Sequence, residues 1–479
     1  MFGGSAMLSM RLCFLALALP FFFFFQQPCH AQQAKPAAAE SRASEMTSAD
    51  NLTLKRALAA YDEGHAQQAE PLLRDLAHRY PTNFAATETL GLIYAEGGDF
   101  PSAIPLLEKA CAVRPSSAIA FANLGAAYLK EDRNQDALRA LERAASLDSA
   151  NPQTESNLGE ALVQAGRFGQ AAEAFKIAAR AEPNNPDVLY NWALALFDQG
   201  DFRQAGEVLA RLPGKESSPQ VQSLLGDIDE KQGRFEAAVE HLKRAATLDP
   251  SEQHIFALGV EFARHWTFDA AKEIFAYGIS RYAESARLRI GLGVARYGKA
   301  DYAGASQIFS ELLAHDPDNA HYADLLGRSC GQNVEERNPA CDKLADFAER
   351  HPRNAAAACF AAASILHLPA VAQDLDLARH LLEQAIAADP KLARAYFQMG
   401  VLEQQERHWL ESVTAFERAV ALDPEFAEAH YRLARAYAHV GKWEQAQREI
   451  AIHQRYLEQQ NHDMDVQLRE VTTFLVTLQ

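Results

Sequence analysis

Positive charge is scarce in this sequence. Its 479 residues carry 46 lysines and arginines against 63 aspartates and glutamates, a formal net charge of −17 at pH 7. So acidic a chain repels phosphate backbones and anionic headgroups over about a Debye length, which argues against nucleic-acid binding. Long apolar runs are scarce too. The 14 residues from Leu12 to Phe25 fall short of the roughly 18 to 20 that a bilayer-spanning helix needs, and nothing later is longer. Sequence signatures of catalysis are missing: there is no HExxH, no GxSxG, no GxxxxGK[ST] and no GxGxxG set after a strand. The 16 histidines are dispersed, without metal-ligand spacing to Cys or carboxylates. The expectation is therefore no enzyme activity, no cofactor and no metal. What is abundant is apolar material, 48% of the chain, enough for a large folded body.

Cysteine is sparse, and two of the six stand in the extreme N-terminus, Cys13 and Cys29. There Arg11 precedes the apolar run, and a short polar stretch ends in Cys29-His30-Ala31. The pattern reads as a secretory signal peptide over residues 1–31, cleaved after Ala31, with an exported product that is periplasmic or secreted. A lipid-modified Cys29 is the competing reading, but Phe25-Gln26-Gln27-Pro28 lacks the aliphatic and small residues such processing wants; an uncleaved anchor is disfavoured by the short run. Residues 32–50 contain almost no large apolar side chain and are expected to form a flexible tether.

The rest is repetitive. Leu-Gly recurs at 90–91, 124–125, 158–159, 225–226, 258–259, 292–293 and 326–327, with Trp192-Ala193 filling the gap, so the period is 34 with small slips. Ala103, Ala137, Ala171, Ala205, Ala238, Ala271 and Ala305 keep step. Four residues on stand Leu107, Leu141, Phe175, Leu209, Leu242, Phe275 and Phe309, and three further on Ala110, Ala144, Ala178, Ala245 or Gly278. Spacings of 4 and 3 put these on one face of a helix. Prolines, most often in Asp-Pro, punctuate the units at 81, 115, 183, 250, 317, 352, 390 and 424. Each unit is thus two helices and a turn.

This pattern resembles the tetratricopeptide repeat family, whose signature sets a large residue and Leu-Gly, then alanines, aromatics and a proline over about 34 residues. NLGAAYLKEDRNQDALRALERAASLDSA and MGVLEQQERHWLESVTAFERAVALDP show it in this chain. The resemblance implies an all-α, right-handed superhelical solenoid of about twelve helix-turn-helix units over 50–460, written here as an N-terminal array, 50–218, and a C-terminal array, 219–460. Unit 50–83 lacks Leu-Gly, the fifth ends early at RLPGKESSP, and the tenth carries an insertion around HLPAVAQD. Residues 461–479, with Met464, Leu468, Val471 and Leu475 at spacings of 4, 3 and 4, are expected to form a capping helix.

In the family, first helices line the concave surface, so binding residues are sought there. Asn123, Asn157 and Asn191 stand one repeat apart just before the Leu-Gly slot. An amide offers donor and acceptor at once, and the row resembles the asparagine ladder of O-linked N-acetylglucosamine transferase, which holds substrate peptides; solvent-facing amides are the plainer reading. Glu88, Glu160, Asp187, Asp198, Asp227 and Glu230 make this stretch acidic, with Tyr190 and Phe197 as apolar anchors. Farther on, Arg287, Arg328, Arg394 and Arg435, with Arg264, offer anion contacts, or simply pair with nearby carboxylates. Cys330 and Cys341, at the end of one helix and the start of the next, are placed to bridge or to sit as small core residues; Cys111 and Cys359 read as packing. The expected function is a non-enzymatic scaffold for a protein or peptide partner. The alternatives are an accessory periplasmic subunit for envelope polysaccharide export or assembly, and an enzyme whose site would be a cluster of perturbed carboxylates or a metal in the groove.

Overall fold

The capping residues explain why the helices begin where they do. Asn83, Ser117, Asn151 and Asn185 stand one repeat apart, and each side chain accepts from a backbone N–H three residues on, Ala86, Ala120, Thr154 and Val188, at 2.9 to 3.3 Å. Each thereby satisfies a donor that the first turn leaves without a helical acceptor. Second helices use the same device less regularly, with Asp99, Asp201 and Asp301 as caps.

The computed structural model describes residues 46–332, 338–367 and 374–462. The expected signal peptide, most of the tether and residues 463–479 of the expected capping helix lie outside them. Among the described residues there are 24 α-helices, in twelve successive pairs, and no strand. The chain is an all-α solenoid.

Contacts divide it into two compact units, up to His241 and from Leu242 onward. The first holds the pairs α1 (Ser48–Asp62) and α2 (Ala66–Arg79), α3 (Phe84–Glu96) and α4 (Phe100–Val113), α5 (Ala118–Lys130) and α6 (Asn134–Leu147). It continues with α7 (Pro152–Gln164) and α8 (Phe168–Ala181), α9 (Pro186–Gln199) and α10 (Phe202–Ala210), then α11 (Pro219–Lys231) and α12 (Phe235–Leu248), within which the division falls. The second unit holds α13 (Glu252–Arg264) and α14 (Phe268–Arg281), α15 (Ala286–Gly298) and α16 (Tyr302–His315), α17 (Ala320–Gln332) and α18 (Lys343–Arg350). After these come α19 (Ala355–Leu366) and α20 (Leu375–Ala388), α21 (Ala393–Gln405) and α22 (Trp409–Leu422), and α23 (Ala427–His439) and α24 (Trp443–His462). The sequence-based boundary at 218–219 falls just before α11. α1 starts at Ser48, inside the segment expected as tether, because Thr47 caps it by accepting from the Asp50 N–H. Residues 461 and 462, the first two of the expected capping helix, close α24.

The repeating alanines and large residues form the core. Ala103, Ala137, Ala171, Ala205, Ala238, Ala271 and Ala305 are fully buried, and Leu107, Leu141, Phe175, Leu209, Phe275 and Phe309 nearly or fully so. The glycine of Leu-Gly serves the large residue of its own repeat. A Cβ at Gly125 would stand 2.5 Å from Leu141 Cγ, and one at Gly159 2.7 Å from the Phe175 ring, so the two helices approach as closely as they do because nothing projects there.

Two second helices are short. α10 has nine residues and gives way to a 3-10 turn over Lys215–Ser217, where the sequence ends its unit early. α18 has eight, preceded by a 3-10 turn over Pro339–Asp342. There Cys330 and Cys341 are joined, S–S 1.98 Å and Cα atoms 5.9 Å apart, tying the end of α17 to the turn before α18. Cys111 and Cys359 are free and buried, and burial pushes both thiols up to about 12.

Candidate binding sites on the repeat faces

In the first unit, successive first helices pack against one another: α3 on α5, α5 on α7, α7 on α9 and α9 on α11. Asn123, Asn157 and Asn191 therefore stand on three adjoining helices. Their surroundings differ. Asn123 is buried, and its Nδ2 has no hydrogen-bond partner among the described residues. Asn157 is buried with Oδ1 accepting from Gln153 Nε2 at 3.0 Å. Asn191 is half-buried. The row is a set of amides in three states of access.

Tyr190 is half-buried, and its hydroxyl is pushed up to about 12 by burial and then by the charges of Asp227 and Asp198, which places these three groups near one another. Phe197 is buried, and its ring meets the Phe202 ring edge-on at 5.3 Å. Its face is turned to the core. Glu88 is half-buried with Oε1 unpartnered; burial raises its carboxyl to about 7, opposed only by Arg114. Burial likewise raises Glu160, opposed by Lys130. Asp187 and Asp198 are exposed, while Asp227 and Glu230 are half-buried.

The four arginines proposed as anion contacts lie in the second unit, and each is engaged separately. Arg328 Nε donates to Asp324 Oδ2 at 2.8 Å, which meets its charge with a carboxylate on its own helix. Arg287 lies over the Phe256 ring, 3.9 Å from its centroid, Arg394 over Phe360 at 5.8 Å and Arg435 over Tyr431 at 6.0 Å, so three of the four are held by aromatic faces. Arg264 stands 3.9 Å from Glu261. A cluster of Glu403, Glu406 and His408 escaped the sequence reading. Arg379 fills it: Nη1 donates to Glu403 at 2.6 Å, Nη2 donates to Glu406, and His408 Nδ1 lies 3.0 Å from Glu403, so the carboxylates already hold a cation.

Glu155 also went unremarked. It is 3% exposed, on α7, and borders a cavity of about 340 Å³ among α6, α7 and α8. The signal that would have found it is a charged residue in a slot that other repeats fill with Leu189 or Ile255.

Comparison with known proteins gives three family matches. Residues 24–255 match the model of the cilia and flagella-associated protein 70 C-terminal domain, a tetratricopeptide domain, and residues 267–328 and 415–448 match two tetratricopeptide repeat models. No curated protein matches the chain. Among solved structures, Naa15/Naa10 bound to HypK-THB is similar at 16% identity over 85% of this chain and 68% of that one, with a TM-score of 0.36. YrrB, described as a TPR protein with an unusual peptide-binding site, shows 17% identity over 39% and 95%, TM-score 0.36. PilF of Pseudomonas aeruginosa shows 21% over 43% and 94%, TM-score 0.35. Repeated matches along the sequence and twelve helix pairs at a 34-residue period lead to one conclusion: the chain is built of tetratricopeptide repeats.

Proposed function

We propose that the protein is a scaffold that binds an extended segment of a partner protein along the first-helix face of α5, α7 and α9. The observation that carries this reading is the recurrence of Asn123, Asn157 and Asn191 on adjoining helices one repeat apart. Amides so spaced pair with a peptide backbone without reading its side chains, and a pre-formed face lowers the ordering cost of binding. Asn191, half-buried, is the amide of the row most open to such a segment. Tyr190 supplies apolar surface, and Glu88, Glu160, Asp198 and Asp227 favour a neutral or basic segment over an acidic one. The role is non-enzymatic. Export is part of the same proposal, supported by the signal-like N-terminus and by a bridged cysteine pair, which suits an oxidising compartment.

The test is selection of binding peptides from a displayed random library, followed by affinity measurement on the protein and on the variant with Asn123, Asn157 and Asn191 all changed to Ala. A drop of about tenfold or more in a variant with unchanged far-UV circular dichroism is expected. Equal affinity for both proteins would remove the amide row from the function.

A further inference from the structure

In several repeats the residue three places before the Leu-Gly slot is buried between helices, and those repeats fill the slot in different ways. Leu189 and Ile255 fill it with hydrocarbon and are fully buried. Gln222 fills it with an amide whose Nε2 donates to the Lys215 carbonyl at 2.9 Å and whose Oε1 lies 2.8 Å from His241 Nδ1. His430 fills it with a ring that meets Glu449 at 2.6 Å and the Pro424 carbonyl at 2.9 Å. These polar occupants are buried and have partners.

Two occupants lack a partner among the described residues, the buried hydroxyl of Thr87 and the carboxylate of Glu155, and of these only Glu155 carries charge. It is as buried as Leu189's neighbours in the core, at 3% exposure, yet among the described residues its carboxylate makes neither hydrogen bond nor ion pair. Burial, and then the like charge of Asp148, raises its carboxyl above the usual range. A partly desolvated carboxylate without a counter-charge gains from a proton or a cation. Here it opens on the cavity of about 340 Å³, whose walls include Leu158, Leu162, Ala174 and Ile177. At the rim, Glu142 already pairs with Arg167 at 2.9 Å and Glu173 with Lys176 at 3.0 Å, and all four side chains are more than a third exposed. Rim charges are met; the one inside is not.

An anionic end reached past aliphatic walls complements a primary ammonium carried on an aliphatic stem. We propose that this cavity binds a lysine side chain of a partner protein, the ammonium donating to Glu155 and the stem lying along Leu158, Leu162 and Ile177. Glu155, Leu158 and Leu162 are on α7, the helix that also carries Asn157, and most of the remaining lining is on α8; the contact uses none of the three asparagines and is tested without them.

The experiment titrates the full protein, labelled at isoleucine methyls, with Nα-acetyl-lysine methylamide and follows the Ile177 resonance. The neutral norleucine and Nε-acetyl-lysine analogues and the arginine analogue are the comparison probes. A saturable shift with the lysine probe is expected, about tenfold or more weaker with either neutral probe and in Glu155→Gln, as loss of one charge-assisted hydrogen bond implies. Glu155→Leu is expected to abolish the shift while raising the melting temperature, because leucine is what Leu189 supplies in the same slot. The proposal is overturned by no saturable shift, by equal binding of the neutral probes, by an unchanged affinity in Glu155→Gln, or by tighter binding of the arginine probe.

Discussion

Replacing Gly159 with alanine tests the close approach on which every repeat depends. An added Cβ would stand 2.7 Å from Cε1 and Cζ of Phe175 and 2.8 Å from Cε2, and that ring is 2% exposed, with no free direction to turn. Overpacking of this kind costs about 1–3 kcal/mol. Alanine returns about 0.8–1 kcal/mol of helix propensity over glycine, so the net loss is about 0–2 kcal/mol, centred near 1. The fifth repeat shows the compensation: Ala193 stands in the glycine slot and Leu209 in the ring slot, both fully buried. Phe175→Leu alone loses part of a buried ring and costs about 1–2 kcal/mol, a fraction of the 3–5 typical of full truncation. The double variant Gly159→Ala/Phe175→Leu reproduces the pairing of the fifth repeat and is expected to lose only about 1 kcal/mol, against about 2.5 kcal/mol for the sum of the central single losses, a favourable coupling of about 1.5 kcal/mol. Urea unfolding followed at 222 nm measures the sums, and hydrogen exchange over α7 and α8 localises them, since repeat arrays open in parts. If Gly159→Ala stabilises by the full helix-propensity gain, or if the double variant is additive, the close contact is not what fixes glycine there.

Ala300 holds a left-handed φ of 59° in a turn slot where most other repeats place glycine, so Ala300→Gly is expected to raise stability by about 0.5–1 kcal/mol in urea unfolding; a loss would show that the backbone there is not strained. Glu88 has a folded-state carboxyl at about 7 against an ordinary value of 4.5, so the folded protein binds the extra proton. Its contribution is full below about 4.5 and is lost as pH rises through about 7, at most roughly 3 kcal/mol. Stability measured from pH 4.5 to 8 should therefore fall with pH more steeply in the protein than in Glu88→Gln, and parallel curves would contradict this. The bridge between Cys330 and Cys341 closes a separation of 11 residues, and removing it by Cys341→Ser is expected to cost about 2.5–3 kcal/mol by chain entropy. Peptide mapping without reductant should recover the pair linked, with Cys111 and Cys359 alkylated only after unfolding; free thiols at all four positions would remove the bridge.

The helix pairs were legible because their information is local and repeated. Leu-Gly, alanine and a large apolar residue recur at fixed spacing, and each repeat packs chiefly on its neighbours, so one period carries the architecture. The turns between paired helices were less so. Gly98, Gly166, Gly200 and Gly441 take positive φ there, as does Asp132, a residue type enriched in that region, but so do Trp266, Ala300 and Arg407, which no composition rule would place there. The helices on either side fix that backbone, and the residue follows. The shortening of α18 to eight residues was equally hidden, since Pro339 and its neighbours look like an ordinary helix start.

Sites were harder because a face is a relation between repeats. The spacing of Asn123, Asn157 and Asn191 was visible, but not that two of them are closed over while Asn191 is half-open, since burial depends on side chains contributed by the adjoining helices. Phe197 shows the same difficulty: its place on a first helix suggested an anchor, and Phe202, five residues later across the turn, claims its ring. Glu155 shows the reverse. A lone glutamate on a helix reads as a solvated side chain, and only alignment with Leu189 and Ile255 marks its slot as one that points inward. In a repeat protein the packing consensus is thus its own control: a polar residue in a packing slot is explained by a partner, as with Gln222 and His430, and where no partner exists the slot is a candidate for recognition.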